Sequence, residues 1–249
     1  MRHRPTVMSL LLVVCLVLSS IVLYFSVVAI QYVLASSRHH NYFPNTTKNN
    51  NHFFPIAPSI KVCCAWNNKF ATGQLTYMII GGDASSRQAV VEALNEWASN
   101  VKGLRFTETT DIKTVDITLN FQSGRGGSGH NQGNGLGSIR GNGHTDIVGE
   151  TILHGNNGLI NNAQIIIAKT AFGSSFGTSL IKQIAMHEIG HALGIGHANF
   201  IGDIMAPAIN YEKAAISSCD INAVSSANQW RLARPGIAPQ PPPLDHINC

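Results

Sequence analysis

His187, Glu188, His191, Gly194 and His197 are the residues whose types and spacing could do chemistry. Helix positions i and i+4 share a face, so His187 and His191 present two imidazoles one turn apart. Gly194 can take the positive φ that ends a helix, after which the chain can return His197 toward the same point. Three neutral imidazoles bind zinc and leave one position open, which marks a catalytic rather than a structural ion. Glu188 follows the first ligand and projects beside that open position. There it can take a proton from water acidified by the metal and return it to a leaving amine. HExxH alone recurs by chance. The turn glycine, the third His and Met205, eight residues beyond His197 in Asp203-Ile204-Met205-Ala206-Pro207, are separate coincidences.

These residues need a scaffold, and hydrophobic periodicity outlines one. A helix running from Thr178 to about Gly194 carries the histidines. Leu75–Ile80 reads as a strand, as does Val115–Phe121, where Val115, Ile117, Leu119 and Phe121 alternate. Ala163–Ala168 is a further apolar strand. Ser85-Ser86-Arg87-Gln88 resembles a capping box opening a helix whose Val90, Leu94, Trp97 and Val101 share a face. Ser217 can cap a third helix, Ser218 to about Ala233, stopped by Pro235. Nine glycines between Ser123 and Gly143 predict a long surface loop. Gly124 to Gly129 formally match GxGxxG, but no helix follows to hold a pyrophosphate, so a dinucleotide site is rejected. The tail after Pro235, with Pro239 and Pro241 to Pro243, reads as extended and non-globular.

Upstream, Val7 to Ala35 is a single apolar run of 29 residues without charge. A bilayer core needs ~20 helical residues, so this run predicts a transmembrane signal anchor. A cleaved signal peptide is the rival reading, and its apolar core is usually only ~7–15 residues. The expected organisation is a short cytoplasmic N-terminus (1–6), the anchor (7–35), an Asn-rich linker (36–57), a catalytic domain (58–234) and the Pro-rich tail (235–249). Arg2 and Arg4 lean the anchor toward a cytoplasmic N-terminus. The sequon at Asn45 suits an extracytoplasmic linker.

Composition narrows the partners. From residue 36 onward 15 Lys+Arg stand against 13 Asp+Glu, a net +2, too few and too scattered for a nucleic-acid surface. Cys15 lies in the apolar run. Cys63 and Cys64 precede the middle of the chain and Cys219 and Cys249 follow it, with no CxxC pair. Bridges between the two ends suit an oxidising compartment, and four free thiols are the alternative.

HExxHxxGxxH followed by Met205 resembles the metzincin clan of zinc peptidases. The short interval to Met205 and the Met-Ala-Pro ending are most similar to the matrixins. Weaker similarity lies at Trp66, Leu75-Thr76-Tyr77, Trp97 and Val115-Asp116-Ile117, and the resemblance spans roughly Lys61 to Arg234. It implies an α+β fold, a small twisted mixed sheet with three helices, behind the N-terminal transmembrane helix. It also implies that His187, His191 and His197 hold one catalytic zinc, that Glu188 is the general base, and that Met205 forms the apolar floor. The implied activity is zinc-dependent hydrolysis of peptide bonds in extracytoplasmic proteins or peptides, which pair as extended chains with a sheet edge around Val148–Thr151.

Departures from the family pattern bear on these expectations. Ala198 stands where vertebrate matrixins carry Ser, Pro207 stands where astacins and serralysins carry Tyr, and no PRCGxPD switch is present. A latch on zinc from Cys63 or Cys64 competes with a disulfide there. His144, Asp146 and His154 resemble part of a second, structural zinc site whose last His position falls near Gln164. Calcium is common in the family, but this loop carries no carboxylate cluster. The rival functions are a zinc amidase of another substrate class and a membrane-bound interaction module with a vestigial site.

Overall fold

Alternation of apolar and polar residues builds the sheet strand by strand. The computed structural model describes residues 57–122, 136–141, 144–171, 174–208, 214–228 and 239–249, without the side chains of 136–141 and 144–146. The expected cytoplasmic N-terminus, membrane span and sequon lie outside the described residues. Among those described, no helix is long and apolar enough to cross a membrane.

In chain order the strands are β1 (Ser59–Val62), β2 (Ala65–Trp66), β3 (Gln74–Ile80), β4 (Arg105–Glu108), β5 (Ile117–Gln122), β6 (Leu136–Gly141), β7 (His144–Asn156), β8 (Leu159–Ala168), β9 (Thr170–Ala171), β10 (Ser174–Ser175), β11 (Ile195–Ala198) and β12 (His246–Asn248). Three α-helices are described: α1 (Ala84–Asn100), α2 (Thr178–Ala192) and α3 (Ser218–Asn228). The main sheet runs β4-β3-β5-β8-β7-β6, with β2 pairing β8. β3, β4, β5 and β8 pair in parallel, whereas β7 runs antiparallel to both β8 and β6. The mixed sheet and three helices are the expected α+β architecture.

Packing follows the periodicity. Leu75, Tyr77 and Ile79 of β3 and Ile117 and Leu119 of β5 point into the core. α1 buries Ala89, Val90, Ala93, Leu94 and Trp97 against the core. Its N-cap is Asp83, whose carboxylate accepts from the Ser86 amide at 2.9 Å, so the helix opens before the expected Ser85. A carboxylate two residues upstream outcompetes the serine hydroxyl for the orphan amides of the first turn. At α3 the expected Ser217 cap is reciprocal: Ser217 Oγ accepts from the Asp220 amide at 3.1 Å and the Asp220 carboxylate accepts from the Ser217 amide at 2.7 Å.

Four expectations are corrected. The glycine-rich region is not loop throughout, because 136–141 form β6 against β7. Strand pairing is a long-range choice that local glycine content does not report. As a result Val148–Thr151 is no sheet edge: Gly149 and Glu150 pair with Gly137 and Leu136 on one side and with Ile167 and Ile166 on the other. The outer strand is β6. The tail is not free either, since β12 pairs with β1 through Ser59 to Lys61, and the Cys249 amide donates to Pro58 O at 2.8 Å. Finally, the cysteines pair within each end, as Cys63–Cys64 and Cys219–Cys249, rather than between the ends. The second bridge ties the tail to α3. The first leaves neither thiol free to latch a metal.

Candidate active site

α2 carries His187, Glu188 and His191 on its buried face, and Gly194 ends it with φ +95°. A Cβ there would also collide with the Cys64 carbonyl. β11 then leads back and delivers His197. The three imidazoles lie with ring centroids 4.6, 4.9 and 5.3 Å apart, and one ring nitrogen of each falls within 4.8 Å of the others. Among the described residues this is the one cluster of three or more metal-ligating groups.

The second nitrogen of two of the rings is already committed. His187 Nδ1 donates to Ile204 O at 2.7 Å and His191 Nδ1 to Ile195 O at 2.9 Å. Both bonds fix the tautomer that turns a bare Nε2 toward the centre, the second-sphere arrangement of metal-bound histidines. His197 Nε2 is buried without a hydrogen-bond partner. A buried, orphaned acceptor beside two aimed imidazoles fits a cation with nitrogen preference, and three nitrogens with an open fourth side fit zinc. Burial holds His187 down to about 4, against the opposing bond to Ile204, and drives His191 well below the usual imidazole range. Burial and then the Lys61 charge lower His197. All three therefore stand neutral, the form that ligates.

Glu188 is fully buried and faces β7. Thr151 Oγ1 lies 2.7 Å from its Oε2, and a Cβ on Gly149 would overlap the same carboxylate. Met205 is fully buried beneath α2. A Cβ on Gly190 would run into its sulfur, and would come within 3.1 Å of Trp97, so only glycine lets the methionine approach between the two helix histidines. The turn that presents Met205 is braced by Asp203, which accepts from the Met205 amide at 2.8 Å, and by the Ala198 amide, which donates to Met205 O at 2.8 Å.

A family model described as matrixin matches residues 65–228, more than half of the chain. The chain belongs to the matrixin family. It is 28% identical over 158 residues to Metalloendoproteinase 1 of Glycine max, covering 61% of this chain and 50% of that one. It is 31% identical over 140 residues to Metalloendoproteinase 5-MMP of Arabidopsis thaliana, covering 53% of this chain and 36% of that one. The chain thus spans half or less of the length of these curated relatives. Among solved structures, myroilysin aligns over 63% of this chain and 80% of its own, at 14% identity and a TM-score of 0.38.

Within this matrixin domain the structure brings His187, His191, His197, Glu188 and Met205 to one place. The partial resemblance to a second site is not on view. His154 is exposed on β7, and the side chains of His144 and Asp146 lie outside the described residues. Sequence reading missed the residues that hold α2 from behind. Trp97 Nε1 donates to Met186 O and Trp66 Nε1 to Ala192 O, both at 2.8 Å. Asn228 Nδ2 donates to Leu193 O at 2.8 Å, while its Oδ1 accepts from the Trp66 amide at 2.9 Å. The last turn of a helix leaves carbonyls without intrahelical partners, and Trp66 and Asn228 satisfy two of them, while Trp97 reaches a carbonyl inside the helix. Trp97 was visible on the apolar face of its helix, and Trp66 only through the family resemblance. That their N–H groups aim at this helix was not.

Proposed function

We propose that the chain is a zinc-dependent metalloendopeptidase, a hydrolase of peptide bonds in extracytoplasmic proteins or peptides. The single observation that carries this reading is the convergence of three neutral imidazoles, one of them with a buried unpartnered Nε2, beside the buried Glu188 carboxylate. His187, His191 and His197 would hold one ion through Nε2. A bound zinc supplies Lewis acidity, acidifying water toward a pKa of ~7 and polarising a peptide carbonyl. Glu188 accepts the proton of the attacking water and passes it to the leaving amine, so one carboxylate serves both transfers. The Ile204 and Ile195 carbonyls keep the imidazoles in register, and Met205 closes the site from below.

An extended peptide would add to the sheet at β6, the outer strand, which lies beside α2. Main-chain pairing of this kind supplies affinity without demanding a particular side chain. The apolar run Val7–Ala35 would anchor the protein in a membrane with residues 36–249 outside, where the Cys219–Cys249 and Cys63–Cys64 bridges persist. Protease shaving of intact cells should then remove the C-terminal domain, and a domain left untouched by shaving would sink that orientation.

The deciding experiment is metal analysis of the full chain together with digestion of a broad protein substrate, with and without chelator. One zinc per chain and chelator-sensitive release of peptides are expected; release of other amide products would point to an amidase instead. Glu188→Gln should keep zinc near one per chain and lose ~10²–10⁴-fold in turnover, because Gln is nearly isosteric but cannot carry the proton. His191→Ala should lose zinc and activity together. Retention of more than about a tenth of turnover in Glu188→Gln would mean the base lies elsewhere.

A further inference from the structure

Glu188 is a long side chain with three rotatable bonds, and a base must stand still to be efficient. Two contacts to its carboxylate come from β7. Thr151 Oγ1 lies 2.7 Å from Glu188 Oε2 and 3.0 Å from the Glu188 backbone oxygen, so a single hydroxyl can reach both ends of the residue. Two positions earlier, a Cβ on Gly149 would fall within 2.7 and 2.8 Å of Glu188 Cδ and Cγ, and closer still to Oε1. Residues i and i+2 of a strand share a face, so both contacts come from one side of β7. Their partners in β8 are Ile167 opposite Gly149 and Ile165 opposite Thr151, both fully buried. The surface under the carboxylate is therefore aliphatic except for one hydroxyl, and Thr151 is itself 2% exposed. A buried carboxylate seeks a donor, and a charge-assisted bond of 2.7 Å is a short, strong one.

Resting on the assignment of Glu188 as base, we propose that Thr151 and Gly149 form a positioning clamp for that carboxylate. Gly149 provides the recess into which Oε1 fits, and Thr151 donates to Oε2 and so selects one rotamer of the side chain. Thr151 acts through Glu188. The strand that aims the base is thus the inner neighbour of the outer strand β6, which couples sheet geometry to proton transfer.

The test uses the full-length chain. Thr151→Val removes the hydroxyl at constant shape and should lower kcat about tenfold, the scale of one hydrogen bond to a charged group, with KM and zinc content unchanged. Thr151→Ser should restore kcat to near wild type. Gly149→Ala should also fold and retain zinc, since the overlap falls on the movable end of Glu188, and should lose kcat at least as severely. A readout independent of turnover is the thermal midpoint of the zinc-free protein: Thr151→Val should lower it in the wild-type background and have no further effect on top of Glu188→Ala. Equal drops in both backgrounds, or wild-type kcat in Thr151→Val while Glu188→Gln is inactive, would overturn the clamp alone. Full activity in Glu188→Gln would instead overturn the base assignment on which it rests.

Discussion

The two ends of α2 are held in opposite ways. Its first turn opens at Gly177, which has no side-chain cap, and Thr178 and Ser179 border water. Its second half receives side-chain N–H donors at three carbonyls: Trp97 at Met186, Trp66 at Ala192 and Asn228 at Leu193. His187, Glu188 and His191 sit in that second half. A metal site tolerates little misplacement, so rigidity matters where the ligands are, while the opening turn is left to fray. The placement of these three side chains is a property of half a helix.

The largest disturbance should come from Gly194→Ala. It forces an L side chain to φ +95° and drives a Cβ into the Cys64 carbonyl, which is backbone and cannot swing away. A loss of about 3 kcal/mol or more is expected, read as a lower denaturant midpoint, with weakened zinc binding as β11 shifts. A chain that tolerated this change would show that the helix end is not pinned as described.

Behind the held end lies a buried acid, and it makes the support pH-sensitive. Burial, and then the neighbouring Asp203 carboxylate, push Asp220 up to about 7 despite the bonds from Ser217. The folded state thus holds a proton that the unfolded chain releases near the ordinary aspartate value of 3.8, so this group's contribution is full below that value and lost as pH rises toward about 7. Asp220→Asn keeps the shape without the charge. Its stability relative to wild type should climb between those pH values, measured by denaturant melts across pH; a flat difference would mean the acid is not protonated in the fold. The histidines act in the opposite sense in the zinc-free protein, since His187 is held down to about 4 and costs stability as pH falls.

Trp66→Phe keeps most of the ring and deletes the N–H to Ala192 O. It should cost ~1–2 kcal/mol by leaving a buried carbonyl unpaired, with a matching fall in thermal midpoint. Gly177→Asp sharpens the contrast from the other side. Supplying the missing cap should stabilise by only a few tenths of a kcal/mol, with zinc affinity and kcat unchanged. A change in kcat there would show that the opening turn communicates with the site after all.

Local spacing alone placed His187 and His191 on one face, put the helix end at Gly194, and put Ile117 and Leu119 on one face of a strand. Periods of 3.6 and 2 are written in neighbouring residues and need no knowledge of what they pack against. The tertiary structure decided the rest. It set Asp83 rather than Ser85 as the cap of α1, and folded a glycine-rich stretch into β6. It drew the proline-rich tail back onto β1, joined Cys219 to Cys249, and aimed Thr151, Trp66, Trp97 and Asn228 at groups of α2 and its cap 35 or more residues away. Those choices depend on which surfaces meet, and a pairing between distant segments leaves no period in either one.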